Sequence, residues 1–160
     1  MNKNPNNPKL TELERLTKSL AQWRKAGKTI VFTNGCFDVI HVGHVRYLKM
    51  ARELGDVLVV GLNSDASVRK LKGMGRPVHT LQDRAEVLGA FPFVTRIVAF
   101  EDESVEGLVR AVRPDVLVKG GDYRKSEVVG GKFVAGYGGK VVVLGHVPGR
   151  STSAILAKLG

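Results

Sequence analysis

Cysteine is nearly absent from this chain, because Cys36 is the only one among its 160 residues. A single thiol excludes a disulfide within the chain and a zinc site built from cysteines, and it favours a reducing compartment. Long hydrophobic runs are also missing, and the longest, 57–62 and 141–144, are far too short to span a membrane. The first nine residues, MNKNPNNPK, lack the apolar core of a secretory signal. We therefore expect a cytoplasmic protein.

Acidic side chains are few, since 15 Asp and Glu stand against 25 Lys and Arg, for a formal charge of +10. Residues 1–28 hold seven basic and two acidic side chains and so carry half of this surplus. We predict a solvated leader followed by a helix face here, with a nucleic-acid contact or a docking surface for an acidic partner as alternatives. Trp23 is the only aromatic residue of this stretch, which argues against stacking on bases.

Short apolar runs alternate with amphipathic segments along the chain. The leucines and Trp23 recur at helical spacing and predict a helix over 10–26, after a flexible leader over 1–9. The predicted strands cover residues 29–33, 57–62, 96–100, 116–119 and 140–144. The other predicted helices cover residues 43–54, 81–90, 104–112, 126–135 and 151–159. Asn, Ser, Gly and Pro are frequent between 63 and 80, and this segment is predicted to be a loop.

Continuous Val, Leu and Ile runs are typical of strands that are covered on both faces, and therefore of a parallel sheet. The sequence predicts an α/β fold: a doubly wound, mostly parallel five-stranded sheet with helices on both faces, Rossmann-like and a single domain. Within it we assign residues 1–28 to the basic leader and N-terminal helix, and residues 29–160 to the domain proper. Ligands of such sheets bind beyond the carboxyl ends of the strands, where the strand order reverses. Functional residues should therefore follow the strands directly.

Two histidines three residues apart follow the first predicted strand. His41 and His44 flank Gly43 at the predicted start of a helix. A helix N-terminus offers free N–H groups and a partial positive charge, and Gly43 lets an anion approach the backbone closely. The pattern predicts phosphate binding. A metal pair completed by Asp38, or two histidines that simply pack together, are the alternatives.

Three further segments at strand ends are candidates for ligand contacts. Arg150 and the Ser-Thr-Ser sequence at 151–153 predict a second phosphate site, although helix capping alone would explain one hydroxyl. The glycine-rich stretch 70–77 carries several cations and either binds phosphate or is a solvated loop. Gly120 and Gly121 follow the fourth strand and would let the backbone lie against a base. Asp122 could accept a hydrogen bond from a ribose hydroxyl there, or the segment is a plain tight turn.

Residues 34–44 resemble the nucleotidyltransferase superfamily signature G-x-F-D-x-x-H-x-G-H, also called cytidylyltransferase-like, and every signature position matches. The resemblance implies that His41 and His44 contact the nucleotide phosphates and stabilise charge at the α-phosphate. It implies that Lys72 reaches the phosphates at the bond that breaks, with Lys70 and Arg76 as the alternatives for this role. Where the superfamily has Ser-Thr-Thr, this chain has Ser-Thr-Ser.

The resemblance also assigns the remaining site residues. The predicted nucleotide-binding residues are Asn34, Gly35, Cys36, Phe37, Asp38, Gly43, Arg84, Lys119, Gly120, Asp122, Ser151, Thr152 and Ser153. The predicted substrate-binding residues are Asn63, Asp65 and Arg76. The resemblance implies no resident metal site, since Mg²⁺ is expected to be carried by the nucleotide phosphates.

The motifs FTNGCFD…HVGH, NSDAS, LKG…RPV, VKGGDY and ST-x-x-I occur in the order seen in adenylyltransferases acting on D-glycero-β-D-manno-heptose 1-phosphate. This resemblance implies that ATP and the heptose 1-phosphate are joined to give ADP-heptose and pyrophosphate, for lipopolysaccharide core precursors. It implies a separate sugar kinase in the pathway, because relatives often carry one fused. We expect no nucleic-acid or membrane partner, and a homodimer is expected only from the size of the enzyme, since the sequence does not show oligomeric state. The alternatives are a cytidylyltransferase for glycerol 3-phosphate or a similar phospho-alcohol, and a non-catalytic nucleotide- or nucleic-acid-binding module.

Overall fold

A computed structural model describes residues 5–101, 104–121, 123–145 and 151–160 of the chain. Its strands are β1 (Ile30–Gly35), β2 (Val57–Asn63), β3 (Arg96–Phe100), β4 (Val116–Gly120) and β5 (Lys140–Leu144). They form one sheet in the order β3-β2-β1-β4-β5, and every pairing between these strands is parallel. The chain therefore winds outward from β1 in one direction and then returns to wind outward in the other. The predicted doubly wound sheet is confirmed, and its strand order reverses between β1 and β4.

Helices cover both faces of the sheet. They are α1 (Leu13–Lys25), α2 (Val42–Arg52), α3 (Asp65–Lys72), α4 (Leu81–Gly89), α5 (Glu106–Val112), α6 (Gly131–Gly136) and α7 (Thr152–Leu159). One core lies between the sheet and α1, α5 and α6, and a second core lies between the opposite face and α2 and α4. The central strand alternates between the two cores, since Phe32 belongs to the first and Val31 to the second. This alternation explains why β1 is apolar at successive positions.

Three expectations about the elements were wrong. The helix predicted over 10–26 begins only at Leu13, because Leu10 forms a β-bridge with Ile97. The segment 63–80 is not all loop, because α3 begins at Asp65 and is capped by Ser64, whose Oγ accepts a hydrogen bond from the backbone N–H of Ser67 at 3.1 Å. The polar residues that suggested a loop are this helix cap. The single helix expected over 126–135 is instead a 3-10 turn, Lys125–Glu127, followed by α6. Gly130, with a φ of +84°, interrupts the helical path between them.

The N-terminal segment is docked onto the domain. Leu16 and Leu20 of α1 are fully buried in the first core, and the basic side chains of α1 lie on its exposed face. The N–H of Thr11 donates to the carbonyl of Ile97, and the N–H of Ile97 donates to the carbonyl of Lys9, both at 2.9 Å. The leader predicted to be flexible is therefore held against β3 by its last residues. No helix in the described ranges is long and apolar enough to cross a bilayer.

Candidate active site

A cleft of about 680 Å³ opens at the carboxyl ends of the strands, beside the point where the strand order reverses. It brings together most of the predicted site, drawn from segments far apart in the chain. The predicted residues that line it are Asn34, Gly35, Cys36, Phe37, Asp38, His41, Gly43, His44, Asn63, Lys72, Arg76, Lys119, Gly120, Ser151, Thr152 and Ser153. Two predicted residues, Asp65 and Arg84, do not line the cleft. Asp122, like Arg150 and His146, lies outside the described residues.

The two histidines hold each other in place at the start of α2. His41 is the N-cap, and its Nδ1 accepts a hydrogen bond from the N–H of Gly43 at 3.1 Å. The Nδ1 of His44 accepts in return from the N–H of His41 at 3.3 Å. The ring centroids are 3.9 Å apart. Because both δ nitrogens accept, the proton of each neutral ring must sit on Nε2. The pair therefore offers two Nε2–H donors.

Burial keeps these rings uncharged in the free protein. Burial, and secondarily the neighbouring His41, lower the pKa of His44 to about 4. Burial also lowers the pKa of His41. Both imidazoles are thus neutral donors near pH 7, and the pair offers an anion hydrogen bonds and a helix N-terminus instead of fixed charge. The arrangement matches the phosphate-binding prediction better than a metal pair, because Nδ1 accepts from the backbone and Nε2 carries the proton, so neither nitrogen of a neutral ring has a free lone pair for a metal.

Phe37 lies beneath His44. Its backbone has a φ of +45°, in the left-handed region, and its ring centroid is 5.2 Å from that of His44. A Cβ on Gly35 would lie 2.9 Å from Cε2 of Phe37, so the strand end leaves no room for a side chain there. Phe37 is almost fully buried. The N-G-C-F sequence therefore builds a support under the His44 ring.

Asp38 anchors the segment that follows α3. Its carboxylate accepts from Nε of Arg76 at 2.7 Å and from the N–H groups of Val78 and His79 at 2.8–2.9 Å. Burial alone would raise the pKa of Asp38, but the hydrogen bonds from His79, Val78 and Arg76 outweigh it and hold this pKa below its usual value. With its oxygens used in this way, Asp38 has an anchoring role, and its nucleotide contact stays a prediction. Arg76 still lines the cleft.

Arg84 is the largest fully buried side chain, and it lies behind the cleft wall. Its guanidinium donates to the carbonyls of Cys36, Asn63 and His79 at 2.7–3.1 Å and to the carboxylate of Asp65 at 2.7 Å. It therefore ties the end of β1 to the end of β2. The predicted contacts of Arg84 with nucleotide and of Asp65 with substrate do not fit these positions, because the two side chains are paired with each other.

Two lysines bring positive charge to the cleft. Lys72 ends α3, while Lys119 lies near the end of β4, with its Nζ 5.4 Å from the ring centroid of Tyr123. Burial, and then the neighbouring charge of Lys72, lower the pKa of Lys119. Burial raises the pKa of the Cys36 thiol, although nearby cations oppose it. Cys36 is therefore a thiol at neutral pH, not a nucleophile.

The start of α7 closes the cleft beside α2. The Oγ of Ser151 accepts from the N–H of Ala154 at 3.0 Å, and the Oγ1 of Thr152 donates to the carbonyl of Val39 at 3.0 Å. Two of the three hydroxyls thus cap the helix and attach it to the β1–α2 loop. The hydroxyl of Ser153 has no such role in the cap, so phosphate binding at this segment stays a prediction that rests on Ser153 and the helix N-terminus.

A family model described as cytidylyltransferase-like matches residues 32–155, which include both histidines and all five strand ends. This chain belongs to the cytidylyltransferase-like family. It is a nucleotidyltransferase, as the complete histidine signature and the position of the cleft indicate.

The relatives of this family member include bifunctional proteins. The chain is 51% identical over 151 residues to the bifunctional protein HldE of Methylobacillus flagellatus. The aligned region covers 94% of this chain and 31% of that protein. HldE of Pseudomonas aeruginosa is 51% identical over 147 residues, with 92% and 31% covered. The chain thus spans about a third of the length of these curated relatives.

Two solved structures share the fold. One is the lipopolysaccharide core biosynthesis protein of Thermoplasma volcanium, with a TM-score of 0.63 and 26% identity, covering 76% of this chain and 98% of that one. The other is the pantoate-beta-alanine ligase of Francisella tularensis, with a TM-score of 0.65 and 14% identity, covering 90% and 68%. The second likeness concerns the fold alone.

Several residues lining the cleft of this cytidylyltransferase-like domain were missed from the sequence. They are Tyr47, Phe100, Ser104, Val105, Glu127, Val128, Val129 and Gly145, whereas Leu71, Gly121 and Tyr123, which also line the cleft, belong to segments that the sequence had indicated. Most are apolar or lie in loops, and nothing in their local spacing distinguishes them from core or surface positions. Tyr47 had one available signal, because it follows His44 by three residues on the same helix.

The cleft residues do not build a resident magnesium site. Among the described residues, no group of three or more His, Cys, Asp or Glu side chains is placed to hold a metal ion. Asp38 lines the cleft, but its oxygens accept from Arg76 and two backbone N–H groups. The donor set therefore does not fit Mg²⁺, which prefers carboxylate and other oxygen ligands.

The neutral histidines predict an acid-sensitive fold. Because the pKa of His44 is about 4 in the folded protein and ordinarily 6.5, the unfolded chain binds more protons between these values. The free energy of unfolding should therefore fall as pH is lowered from 7 to 5. His44→Gln, which keeps a side chain able to accept from the N-cap, should reduce this fall, as measured by urea unfolding at both pH values.

His79→Ala is the matched control, because His79 is exposed and its side chain does not line the cleft. This variant should keep the full loss of stability between pH 7 and 5. An equal loss in His44→Gln and the parent protein would contradict the assignment of His44 as a buried neutral ring.

Proposed function

We propose that this nucleotidyltransferase joins ATP and D-glycero-β-D-manno-heptose 1-phosphate to give ADP-heptose and pyrophosphate. The main support is the pair of neutral imidazoles, His41 and His44, at the helix N-terminus that faces the cleft. The choice of acceptor is supported by the 51% identity to proteins named HldE and by the likeness to a lipopolysaccharide core biosynthesis protein. The motifs shared with heptose 1-phosphate adenylyltransferases agree with both of these comparisons.

We place the nucleotide over β1, β4 and α7. There the backbone of Gly120 borders the cleft without a side chain, Lys119 supplies positive charge, and Ser153 stands at the N-terminus of α7. The acceptor sugar phosphate would then enter from the side of β2 and α3. Asn63, Lys72 and Arg76 line the cleft on that side. In this proposal the histidines act between the two substrates, where the α-phosphate must meet the incoming phosphate.

The reaction needs no covalent intermediate and no general base. An oxygen of the sugar phosphate, which is largely dianionic near pH 7, attacks the α-phosphorus. The bond from the α-phosphorus to the bridging oxygen breaks on the opposite side, and pyrophosphate leaves with that electron pair. The chain contributes position and electrostatic stabilisation, in which the Nε2–H groups of His41 and His44 donate to oxygens as negative charge builds up on them. Mg²⁺ would enter bound to ATP, as part of the substrate.

The anchored groups behind the cleft would keep these donors aligned. Arg84 fixes the backbone at Cys36 and Asn63, and Asp38 fixes the segment that carries Arg76. Both are therefore proposed as positioning residues. The homodimer and the separate sugar kinase stay predictions.

A pyrophosphate-release assay tests this function directly. ATP and CTP are each offered with heptose 1-phosphate and with glycerol 3-phosphate, and pyrophosphate is measured over time. We expect turnover with ATP and the heptose 1-phosphate, and a kcat/KM at least about a hundredfold lower for the other combinations. ADP-heptose should appear in equal amount to pyrophosphate.

The other outcomes have definite meanings. Turnover with CTP and glycerol 3-phosphate would replace the proposed substrates while keeping the reaction type. Nucleotide binding without pyrophosphate release from any pair would contradict the proposed enzyme and favour a binding module.

A further inference from the structure

Strands β1 and β4 separate at the bottom of the cleft. Their parallel pairing covers only Val31 with Val116 and Phe32 with Leu117, whereas β1 stays paired with β2 up to Gly35. From Thr33 on one strand and Val118 on the other, the two strands diverge. The resulting fork is defined here as residues 33–35 of β1 and 118–120 of β4. It is the opening in the sheet above which the cleft lies.

The side chain of Tyr47 lies in this fork. Its hydroxyl is hydrogen-bonded to Oγ1 of Thr33 and donates to the carbonyl of Val118 at 3.2 Å. A phenol has one proton, so Tyr47 donates to Val118 and accepts from the hydroxyl of Thr33. These partners are the first residues beyond the last paired residues of each strand. The hydroxyl thus replaces the missing backbone ladder between the two strands.

The hydroxyl remains a donor under all ordinary conditions. Burial raises the pKa of Tyr47 to about 12, against the opposing effect of its hydrogen bond to Thr33. The ring also contacts the end of β4, because a Cβ on Gly120 would lie 3.0 Å from Cε2 of Tyr47. Tyr47 follows His44 by three residues on α2. One side chain therefore connects the helix of the histidines to both strands of the fork.

We propose that Tyr47 is a positioning residue, whose hydroxyl sets the distance between the two histidines and the Gly120 wall of the cleft. The proposal rests on the nucleotidyl transfer assigned above. Removal of the hydroxyl would leave the ring in place and the substrates able to bind. It would, however, let α2 move relative to β4, which displaces the Nε2 donors from the charge that develops on the α-phosphate. The chemical step should suffer more than binding.

Tyr47→Phe tests this proposal against a matched control, Tyr137→Phe. The hydroxyl of Tyr137 also donates to a backbone carbonyl, that of Pro114, just before the opposite, amino end of β4. We expect Tyr47→Phe to lower kcat about tenfold while KM for ATP changes less than about threefold, since small displacements of catalytic groups are costly. Each variant loses the hydrogen bond of one hydroxyl, so Tyr137→Phe should lower the melting temperature about as much as Tyr47→Phe does. Tyr137→Phe should, however, leave kcat unchanged.

A double-mutant cycle with Thr33→Val tests the fork itself. Because both hydroxyls belong to one contact, the double variant should lose little more kcat than Tyr47→Phe alone. If the kcat losses of the two single variants instead multiply in the double variant, the proposal is overturned. A Tyr47→Phe variant that loses only melting temperature, or one that changes only KM, would also overturn it.

Spectroscopy separates this proposal from the choice of substrates. Imidazole NMR signals of His41 and His44 are recorded in the free proteins, without turnover. We expect Tyr47→Phe to shift them and Tyr137→Phe to leave them unchanged. If the parent protein is inactive with heptose 1-phosphate, the proposed substrate is wrong. The positioning role of Tyr47 is still tested in that case, because shifted histidine signals in Tyr47→Phe support it and unshifted signals contradict it.

Discussion

Replacing His41 by asparagine and His44 by glutamine should lower kcat about a hundredfold or more while the protein stays folded. Loss of one transition-state donor typically costs 10²–10³ in rate, and the two Nε2–H groups are the donors that face the cleft. Both replacements preserve the helix cap, because asparagine is a favoured N-cap and glutamine at the third helical position can accept from the N-cap N–H. The variants thus separate catalysis from capping. Pyrophosphate release and urea unfolding measure the two effects.

His79→Ala provides the comparison for this experiment. It also removes an imidazole, but from an exposed position outside the cleft, and should keep the parental kcat. A cap-preserving double variant that still turns over at the parental rate would refute the role of His41 and His44. A large loss of stability in that variant would instead show that asparagine and glutamine do not replace the histidines as helix caps. His41→Asn and His44→Gln would then be measured separately.

Replacing Arg84 by methionine should lower the free energy of unfolding by about 3–5 kcal/mol, the range for breaking a buried charge pair. Methionine is a similarly long apolar side chain but leaves the carbonyls of Cys36, Asn63 and His79 without their donor inside the protein. Unsatisfied buried acceptors are costly because water cannot replace the lost partner. Activity should fall as well, since the ends of β1 and β2 are no longer tied together. Chemical denaturation gives the first effect and kcat the second.

Arg110→Met is the control for charge removal alone. Arg110 pairs with Glu106 at 3.0 Å across one turn of α5, but both side chains are about half exposed. Such pairs contribute little, and the contact of Arg110 with the Phe133 ring, whose centroid is 4.6 Å away, adds about 0.5–1 kcal/mol, so this variant should lose at most about 1.5 kcal/mol. If Arg84→Met were no less stable than Arg110→Met, the bracing role of Arg84 would be wrong.

The parts of the fold that depend on local pattern were predictable from sequence. The runs at β2 and β5 are apolar because neighbouring elements cover them, and their bounds were predicted to within a residue. The same is true of the histidine signature, since its function requires contiguous residues at a helix start. The error at α3 has a physical reason: the Asn63-Ser64 sequence is equally suited to a turn and to a helix cap. Only the burial of Val68 and Ser67 against the domain decides between them.

The supporting groups of the site could not be predicted, because their partners are distant in the chain. Asp38 contacts Val78 and His79, some 40 residues later. Arg84 contacts Cys36, 48 residues earlier. Resemblance suggested ligand contacts for Asp38 and Arg84 because both belong to recognisable motifs. A motif identifies residues that matter to a site without saying whether they touch the ligand or hold the backbone around it.

The contact of residues 9–11 with β3 has a consequence for self-association. An outermost strand presents free N–H and C=O groups that can recruit strands of other molecules and seed aggregates. At Ile97, these groups are already engaged by Lys9 and Thr11 of the same chain. The N-terminal segment therefore protects this edge of the sheet from pairing with other molecules. Deletion of residues 1–11 should expose the edge and make the protein prone to precipitate.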